Sequence, residues 1–362
     1  MVSELSEAEY PGAGLMSERF IFWLFFFLSL WLAAENSVYV SRYDRKAVIP
    51  GLQRPRYIDI DDQRLYIVEN RVRIKGISLK TFKQDFSIST RKGQGPGEFP
   101  WAPAIFVSTD HIYVKTTTKM VRYLKNGSYI DEFQWRGRGV IFPFGKQYLF
   151  WFFHFDRQSR KQYICVDLRD RRNRRIKRVL TVPLKSSKGG GMTMNRNGKG
   201  RISLLSGEKV CLQVSNDRLY ALIPDRKIQL KVFDLNGKMV HAMDGIDIPR
   251  KPVDDADRAN LKADFKYIEG FSDKKWEEYQ KRFEFIFPEY LPRVKDFAVD
   301  QDRFYIKTNR GIKDAKYFRV YRNGALFERT LLLPEGPVWK IKNDHYYFLR
   351  FSDDEEEWIL YR

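Results

Sequence analysis

Residue types that commonly carry out chemistry are sparse and scattered in this sequence. The 362-residue chain has two cysteines, in the apolar runs "YICVDL" and "KVCLQV", and four histidines. These residues are Cys165, Cys211, His111, His154, His241 and His345. A structural zinc site needs about four Cys or His ligands at close spacing, and no such group is visible. The apolar surroundings of the cysteines favour two separate buried thiols, and a disulfide stays open if the compartment is oxidising.

The glycine-rich segment "RKGQGPGEFPW" (91–101) raises the question of phosphate binding. A phosphate loop requires a strand before it, a helix after it and a Lys-Ser/Thr pair, whereas Pro100 and an apolar strand pattern follow here. We therefore predict a turn between two sheets, in which Gly93, Gly95 and Gly97 can take positive φ angles and let the backbone turn tightly. Phe99 and Trp101 are expected to pack between those sheets.

Charge is strongly unbalanced, because 65 Lys and Arg face 46 Asp and Glu, a formal net charge of +19. The run "RDRRNRRIKR" (169–178) concentrates this charge and is predicted to be an exposed hairpin tip that contacts a polyanion. The candidate contact residues are Arg169, Arg171, Arg172, Arg174 and Arg175. Interleaved aromatics are missing, so a nucleic acid partner is not favoured. The acidic run "SDDEEEW" (352–358) lacks the spacing of a calcium loop and is predicted to be a hairpin turn.

A short strand pattern recurs along the chain, and each copy follows an Asp, Asn or Gly turn. The six copies are centred on Tyr66, Tyr113, Leu149, Tyr220, Tyr305 and Tyr347. Asn-Gly pairs at 126–127, 236–237 and 323–324 predict a second hairpin in three units. Units of about four antiparallel strands at this spacing predict an all-β, six-bladed β-propeller. A β-sandwich with repetitive turns is the alternative.

Two further elements complete the predicted domain, which spans 35–362. The last unit is one strand short, and a strand within "NSVYVSRYDRKAVI" (36–49) is expected to complete it and close the ring. Residues 254–290 change to helical periodicity, which predicts a helical hairpin inserted between blades four and five, with Ser272 capping its second helix. Its apolar stripe is expected to lie on the propeller or to bind a partner.

The segment from Gly93 to Phe133 resembles the NHL type of propeller repeat. There, a Gly-rich turn and a Phe lead through a proline-containing approach into an inner strand, an Asp turn and a strand with Tyr. The whole pattern is similar to exported six-bladed propellers of bacteria, most of which have no assigned activity. The resemblance implies the fold, and it says almost nothing about the ligand.

The N-terminal residues 1–34 predict export. Phe20–Ala34 is a run of 15 uncharged residues, the length of a signal-peptide apolar region and shorter than a bilayer span. We expect a periplasmic or extracellular protein, and an uncleaved membrane anchor is the alternative. Residues 1–15 carry three glutamates, so Met16 competes with Met1 as the start.

Propellers bind ligands at the central channel, and the segments that enter the inner strands carry basic and aromatic residues. The predicted channel-mouth residues are Arg56, Trp101, Lys209, Arg293 and Trp339. The sequence thus favours an exported, non-catalytic, monomeric module that binds a protein or an anionic glycan, with no cofactor. The alternative is a lactonase-like hydrolase or lyase with a channel-bound divalent ion such as calcium. Asp59 and Asp296 are the inner-strand acids for that ion, or else they form bonds between blades.

Overall fold

The computed structural model describes most of the chain from residue 38 onward. The described residues are 38–40, 44–70, 72–89, 93, 95–99, 104–135, 139–184, 192–194, 200–203, 208–225, 227–269, 272–312, 315–322, 326–334 and 338–362. The apolar segment Phe20–Ala34, Trp101 and the Asn323-Gly324 pair lie outside them.

Strands dominate the structure and form six successive antiparallel sheets, the blades of a six-bladed propeller. Blade one contains Pro55–Ile60, Arg64–Glu69, Arg73–Ser78 and Gln84–Ser89. Blade two contains Ala104–Val107, His111–Lys115, Lys119–Leu124 and Tyr129–Gln134. Blade three contains Gly139–Phe144, Gln147–Asp156, Lys161–Arg169 and Arg175–Leu184. Blade four contains Cys211–Ser215, Arg218–Pro224, Ile228–Phe233 and Met239–Ile246. Blade five contains Val294–Asp300, Arg303–Ile312, Ala315–Arg322 and Leu326–Pro334. Blade six contains Val338–Lys342, His345–Ser352, Glu357–Tyr361 and, from the N-terminal side, Arg45–Ile49.

The recurring tyrosine pattern marks the second strand of every blade. All six pattern centres lie on second strands and are at most 6% exposed. The Asn-Gly pairs at 126–127 and 236–237 form the turns before fourth strands, where both glycines have a positive φ. Local turn chemistry therefore sets the strand boundaries, and the buried apolar positions set the sheet faces.

The N-terminal strand closes the ring, as the sequence predicted. Arg45–Ile49 pairs antiparallel with Glu357–Tyr361 and becomes the fourth strand of blade six. Upstream, Val38–Val40 adds in parallel to Leu326–Pro334 as a fifth strand of blade five. One N-terminal segment thus joins two neighbouring blades and covers edges that would otherwise be open.

The hydrophobic core is divided among the blade boundaries. Buried apolar side chains form six clusters within the described residues, and each draws on two adjacent blades. The first strands of blades six and one, one and two, four and five, and five and six lie next to each other and so surround the central channel.

The antiparallel order gives the propeller two distinct faces. Turns between first and second strands, and between third and fourth strands, lie on the same side, here called face A. Turns between second and third strands, and the links from one blade to the next, lie on the opposite side, here called face B. First strands begin at face B, so the predicted channel-mouth residues belong to that end of the channel.

The helical insert lies between blades four and five and leaves the propeller on face B. Its helices are Asp255–Glu269 and Asp273–Arg282, and Ser272 caps the second by accepting a bond from the Lys275 amide, as predicted. Small sheets accompany them: Met192–Met194, Gly200–Ser203 and Phe283–Ile286 in one, Lys251–Pro252 and Tyr290–Leu291 in the other.

The apolar stripe of the insert packs on its small sheet. The rings of Phe265 and Trp276 lie 6.2 and 5.5 Å from that of Phe285, and Tyr279 stacks at 4.2 Å on Phe283. These contacts differ from the predicted packing on a blade. No helix among the residues described is both long and apolar enough to cross a bilayer.

Candidate binding surfaces

The structure places four of the five predicted channel-mouth residues at the face B end of the channel. Arg56 and Trp339 lie near the start of the first strands of blades one and six. Lys209 lies two residues before the first strand of blade four, and Arg293 immediately precedes the first strand of blade five. The fifth residue, Trp101, lies outside the described residues.

Arg293 is held inside the protein. It is 5% exposed, its Nε donates to Glu208 Oε1 at 2.7 Å, and its Nη2 donates to the carbonyl of Asp225. Glu208 lies three residues before the first strand of blade four and Asp225 belongs to that blade, so Arg293 ties the entrance of blade five to its neighbour. An anionic ligand would have to displace Glu208 to reach this guanidinium.

Trp339 is part of the boundary between blades five and six. Its ring lies 5.1 Å from Phe318, edge to face, and 5.8 Å from Tyr346. The Nζ of Lys307, which is itself 3% exposed, lies 5.4 Å from the centre of the indole. The indole is therefore surrounded by protein side chains and gives a ligand little ring surface for stacking.

Polar side chains on the first strands connect blades around the channel. Asp59 accepts a hydrogen bond from the Val107 amide of blade two at 2.7 Å and pairs with Lys340 of blade six at 3.1 Å. Gln213 of blade four accepts from the Val299 amide of blade five in the same way, at 3.0 Å. The sequence offered this bridging role for Asp59 as the alternative to metal binding.

Three side chains on first strands occupy the same position in their blades. Each pairs across the hairpin with the residue that lies two positions after the tyrosine of the repeat. They are Tyr57, Cys211 and Asp296, paired with Val68, Leu222 and Lys307. Sequence analysis singled out only Asp296 for the channel. Aligning the six tyrosine strands on their hairpin partners is the signal that finds the other two.

At two of these three residues, Asp296 and Cys211, the surrounding protein disfavours the charged form. Enclosure by protein raises the pKa of Asp296 above the usual carboxyl value, against the opposing effects of the Phe297 amide and nearby lysines. Enclosure also raises the pKa of the Cys211 thiol to about 12, and the Asp296 carboxylate adds to the shift. Cys211 and Cys165 are both free thiols.

A metal centre would need several such groups to converge. In the part of the chain that the structure describes, no three His, Cys, Asp or Glu side chains group as possible ligands. Asp59 has one oxygen on the Val107 amide and the other on Lys340.

The basic run forms the hairpin tip between the third and fourth strands of blade three, on face A. Asp170 organises the turn by accepting bonds from the amides of Arg172 and Arg174, both at 2.9 Å, and from the Arg174 Nε at 2.7 Å. The exposed arginines are Arg171, Arg172, Arg174 and Arg175. Arg171 lies 3.9 Å from Asp131 of blade two, a carboxylate that already pairs with Arg122 at 2.6 Å.

Arg169 does not belong to that exposed tip. Its guanidinium lies 4.2 Å from the centre of the Phe150 ring, donates to Asn173 at 3.0 Å and pairs with the buried Asp167 at 3.4 Å. It therefore packs within blade three, and a polyanion would meet the other four arginines.

The basic surface continues onto blade four. The backbone at Gly237 packs against Val179 and the stem of Lys177, which brings the exposed Lys238 next to the blade three tip. We call the exposed set the basic patch. It comprises Arg171, Arg172, Arg174, Arg175, Lys177 and Lys238.

The glycine-rich loop binds groups of its own chain. Glu98 Oε2 accepts from the Gly95 amide at 3.1 Å, and Glu132 Oε2 accepts from the Gly97 amide at 3.1 Å. Lys119 donates to the Gly95 carbonyl at 2.9 Å. Carboxylates of the protein thus occupy amides that a phosphate would use, as expected for a turn between blades.

The three glycines of this loop differ in conformation and surroundings. Gly97 takes a positive φ, +71°, whereas Gly93 and Gly95 do not. A Cβ at either of those two would come within 3.0 Å of the Glu98 carboxylate. Phe99 is fully buried between blades one and two, as predicted.

Comparisons with known proteins give likenesses of shape alone. No protein-family model and no curated protein matches the sequence. The β-propeller domain of Myceliophteria thermophila Cps50 (Swd1) is 10% identical, with 88% of this chain and 99% of that one covered and a TM-score of 0.44. A structure of U3-55K gives 10% identity, coverages of 88% and 98% and a TM-score of 0.44. The WD40 domain of Neurospora crassa Pan2 is 9% identical, with 88% of this chain and 94% of that one covered and a TM-score of 0.38. The strand order and closure of this chain therefore carry the fold assignment.

Proposed function

We propose that this chain is an exported, non-catalytic binding module that holds an anionic glycan on the basic patch of blades three and four. The observation that supports this most directly is the exposed arginine tip, built by Asp170 on a rigid hairpin. Guanidinium groups pair bidentately with carboxylates and sulfates, so a row of them suits a linear polyanion. Export rests on the apolar run Phe20–Ala34.

The contacts at the channel mouth also favour the basic patch as the binding surface. Arg293 and Trp339 are engaged in contacts between blades, so they contribute less to a ligand site than the exposed patch does. The propeller would then act as a rigid frame that presents a basic edge.

An acidic protein segment is a second candidate partner. Ile176 is 52% exposed, Met239 51% and Val240 47%, and these apolar side chains lie beside the arginines and Lys238 in sequence. A glycan offers little for such side chains to bury, whereas an amphipathic acidic segment would cover them.

The test compares two triple variants of equal charge. We expect Arg171→Ser/Arg172→Ser/Arg175→Ser to weaken binding to immobilised heparin or polygalacturonate at least about tenfold, or 1.4 kcal/mol. The matched control is Arg157→Ser/Arg160→Ser/Lys161→Ser, which removes three cations from a hairpin tip on face B. Arg174 is retained because it holds the turn.

The outcome distinguishes binding at the basic patch from a general effect of the net charge. Equal weakening by both variants would show that overall charge alone attracts the polysaccharide, and would refute the site. If the wild-type chain binds neither polysaccharide at low salt, the glycan proposal fails, and an acidic amphipathic peptide becomes the ligand to test.

A further inference from the structure

Blade three carries a long hairpin on face B, and its ten-residue second strand equals that of blade five in length. Its second and third strands, Gln147–Asp156 and Lys161–Arg169, have ten and nine residues, against six and six in blade one. At about 3.3 Å per residue, the extra residues extend this hairpin well beyond blade one. Its outer end presents Phe153 at 60% and Phe155 at 53% exposure.

The tip of this hairpin is cationic and its charges are free. Arg157, Arg160 and Lys161 are exposed, and none has an ion pair within the described parts of the chain. The one acid at the tip, Asp156, accepts bonds from the Gln158 amide and the Ser159 hydroxyl within the turn.

Blade six carries the opposite charge at the equivalent hairpin. Asp353, Asp354 and Glu356 are exposed and, like the cations of blade three, form no ion pair among the described residues. Their neighbour Glu355 is engaged by Arg45 of the closing strand. Phe351, at the base of this turn, is 42% exposed. Each hairpin therefore combines exposed phenylalanine with three unpaired charges, of opposite sign in the two blades.

The positions of the two hairpins fit a second copy of the same chain. In a ring of six, blades three and six are diametrically opposite, and both turns lie on face B. A two-fold axis that lies just beyond face B, parallel to the plane of the ring and perpendicular to the line joining the two hairpins, places each hairpin of one copy against the opposite hairpin of the other. Both contacts then form at once, which gives a closed, isologous dimer.

We propose that face B binds a second copy of this chain, with the cationic blade three hairpin of each copy against the acidic blade six hairpin of its partner. The charges set the orientation, and the exposed phenylalanines supply the apolar area that surface ion pairs alone lack. The helical insert leaves face B between blades four and five, where this axis passes, so the two inserts meet as well. The helix Asp273–Arg282 has no buried residue, and the side of it that does not pack on the small sheet can take part in such a contact. This dimer would replace the monomer expected from the sequence, and it does not depend on the glycan proposal.

Charge reversal tests the pairing, with association of the full-length chain measured by sedimentation velocity. Arg157→Glu/Arg160→Glu/Lys161→Glu and Asp353→Lys/Asp354→Lys/Glu356→Lys should each raise the dimer Kd at least about tenfold. An equimolar mixture of the two should form heterodimers, because each then offers what the other lacks. A chain with all six reversals should dimerise with itself. The face A variant Arg171→Ser/Arg172→Ser/Arg175→Ser should dimerise like wild type.

The proposal is overturned by a wild-type chain that stays monomeric at low salt, or by reversals that leave its dimer unchanged. Association through the apolar segment 20–34 would give the second result, because every variant carries that segment. Failure of the mixture to restore a dimer would also exclude this pairing. Phe153→Ser/Phe155→Ser, which changes no charge, should weaken the dimer by a similar factor, and circular dichroism should confirm that each variant is folded.

Discussion

Lys119 is expected to be the polar residue on which the glycine-rich loop depends most. Its side chain is 3% exposed, and its Nζ donates to Glu132 at 2.8 Å and to the Gly95 carbonyl at 2.9 Å. Glu132 in turn accepts from the Gly97 amide. Lys119→Met keeps the aliphatic stem but removes the cation from the Glu132 carboxylate and the donor from the Gly95 carbonyl.

The expected loss in the free energy of unfolding follows from how deeply the Lys119–Glu132 pair is buried. Removing one partner of a buried pair costs about 3–5 kcal/mol. Glu132 retains 20% exposure, so water replaces part of the lost interaction and we expect the lower end, about 3 kcal/mol. Urea unfolding followed by intrinsic fluorescence measures this as a lower midpoint at unchanged slope.

Two further variants test whether burial controls the strength of this ion pair. Lys119→Met/Glu132→Gln removes the unpaired charge and keeps an acceptor for the Gly97 amide, so it should recover most of the loss. Arg122→Met breaks a 2.6 Å pair with Asp131 in the same two strands, but Asp131 is 46% exposed, so the loss should stay below about 1 kcal/mol. If Lys119→Met costs no more than Arg122→Met, or the double variant recovers nothing, burial does not control this pair.

Three other predictions concern closure, pH and backbone strain. Ile49→Asp puts a charge at a 3% exposed position of the closing strand and should cost about 4 kcal/mol, seen in urea unfolding and in aggregation of the opened edge. Burial tends to raise the pKa of Asp61, but bonds from Lys125 and Tyr66 outweigh it and hold that pKa below the usual carboxyl value. The stability that Asp61 contributes is thus present above its unfolded pKa and is lost as the pH falls through the lower folded pKa. The unfolding free energy of Asp61→Asn should therefore fall less between neutral and acid pH than that of the wild type. An unchanged pH profile would contradict this. Gly51→Ala, at φ +61° in open space, should cost about 1 kcal/mol, whereas Gly97→Ala should cost more because its Cβ meets the Tyr129 ring at 2.9 Å; equal thermal unfolding midpoints would contradict the clash.

The fold was predictable because its determinants are local and repeated. The turn residues and the buried tyrosines recur in each unit, so six weak signals reinforce one another. The closing strand followed from a count of strands in the last unit. The hairpin positions of the basic and acidic runs followed from the same count, since each run fell between two strand patterns.

The candidate sites were less predictable because their partners are distant in sequence. Arg293 meets Glu208 across 85 residues, and no local pattern shows that this arginine is already paired. Arg169 lies in the same run as the exposed arginines, but it is the last residue of a strand and its guanidinium stacks on Phe150. Of the three glycines that could take a positive φ, only Gly97 does, and the sequence alone does not distinguish it from Gly93 and Gly95.

The two proposals predict opposite effects for the same pair of triple variants. The pair therefore distinguishes binding at a specific surface from a general effect of net charge. Removing three cations at 171, 172 and 175 or at 157, 160 and 161 lowers the charge of the chain equally. Each variant changes one face, so each should affect one property: polysaccharide binding on face A, self-association on face B. If both variants lowered both properties, the overall field of a strongly basic protein would account for the data and neither surface would be a site. A crossed result, with each variant affecting only the property of its own face, requires the local surroundings of both hairpins, since the two variants remove the same net charge.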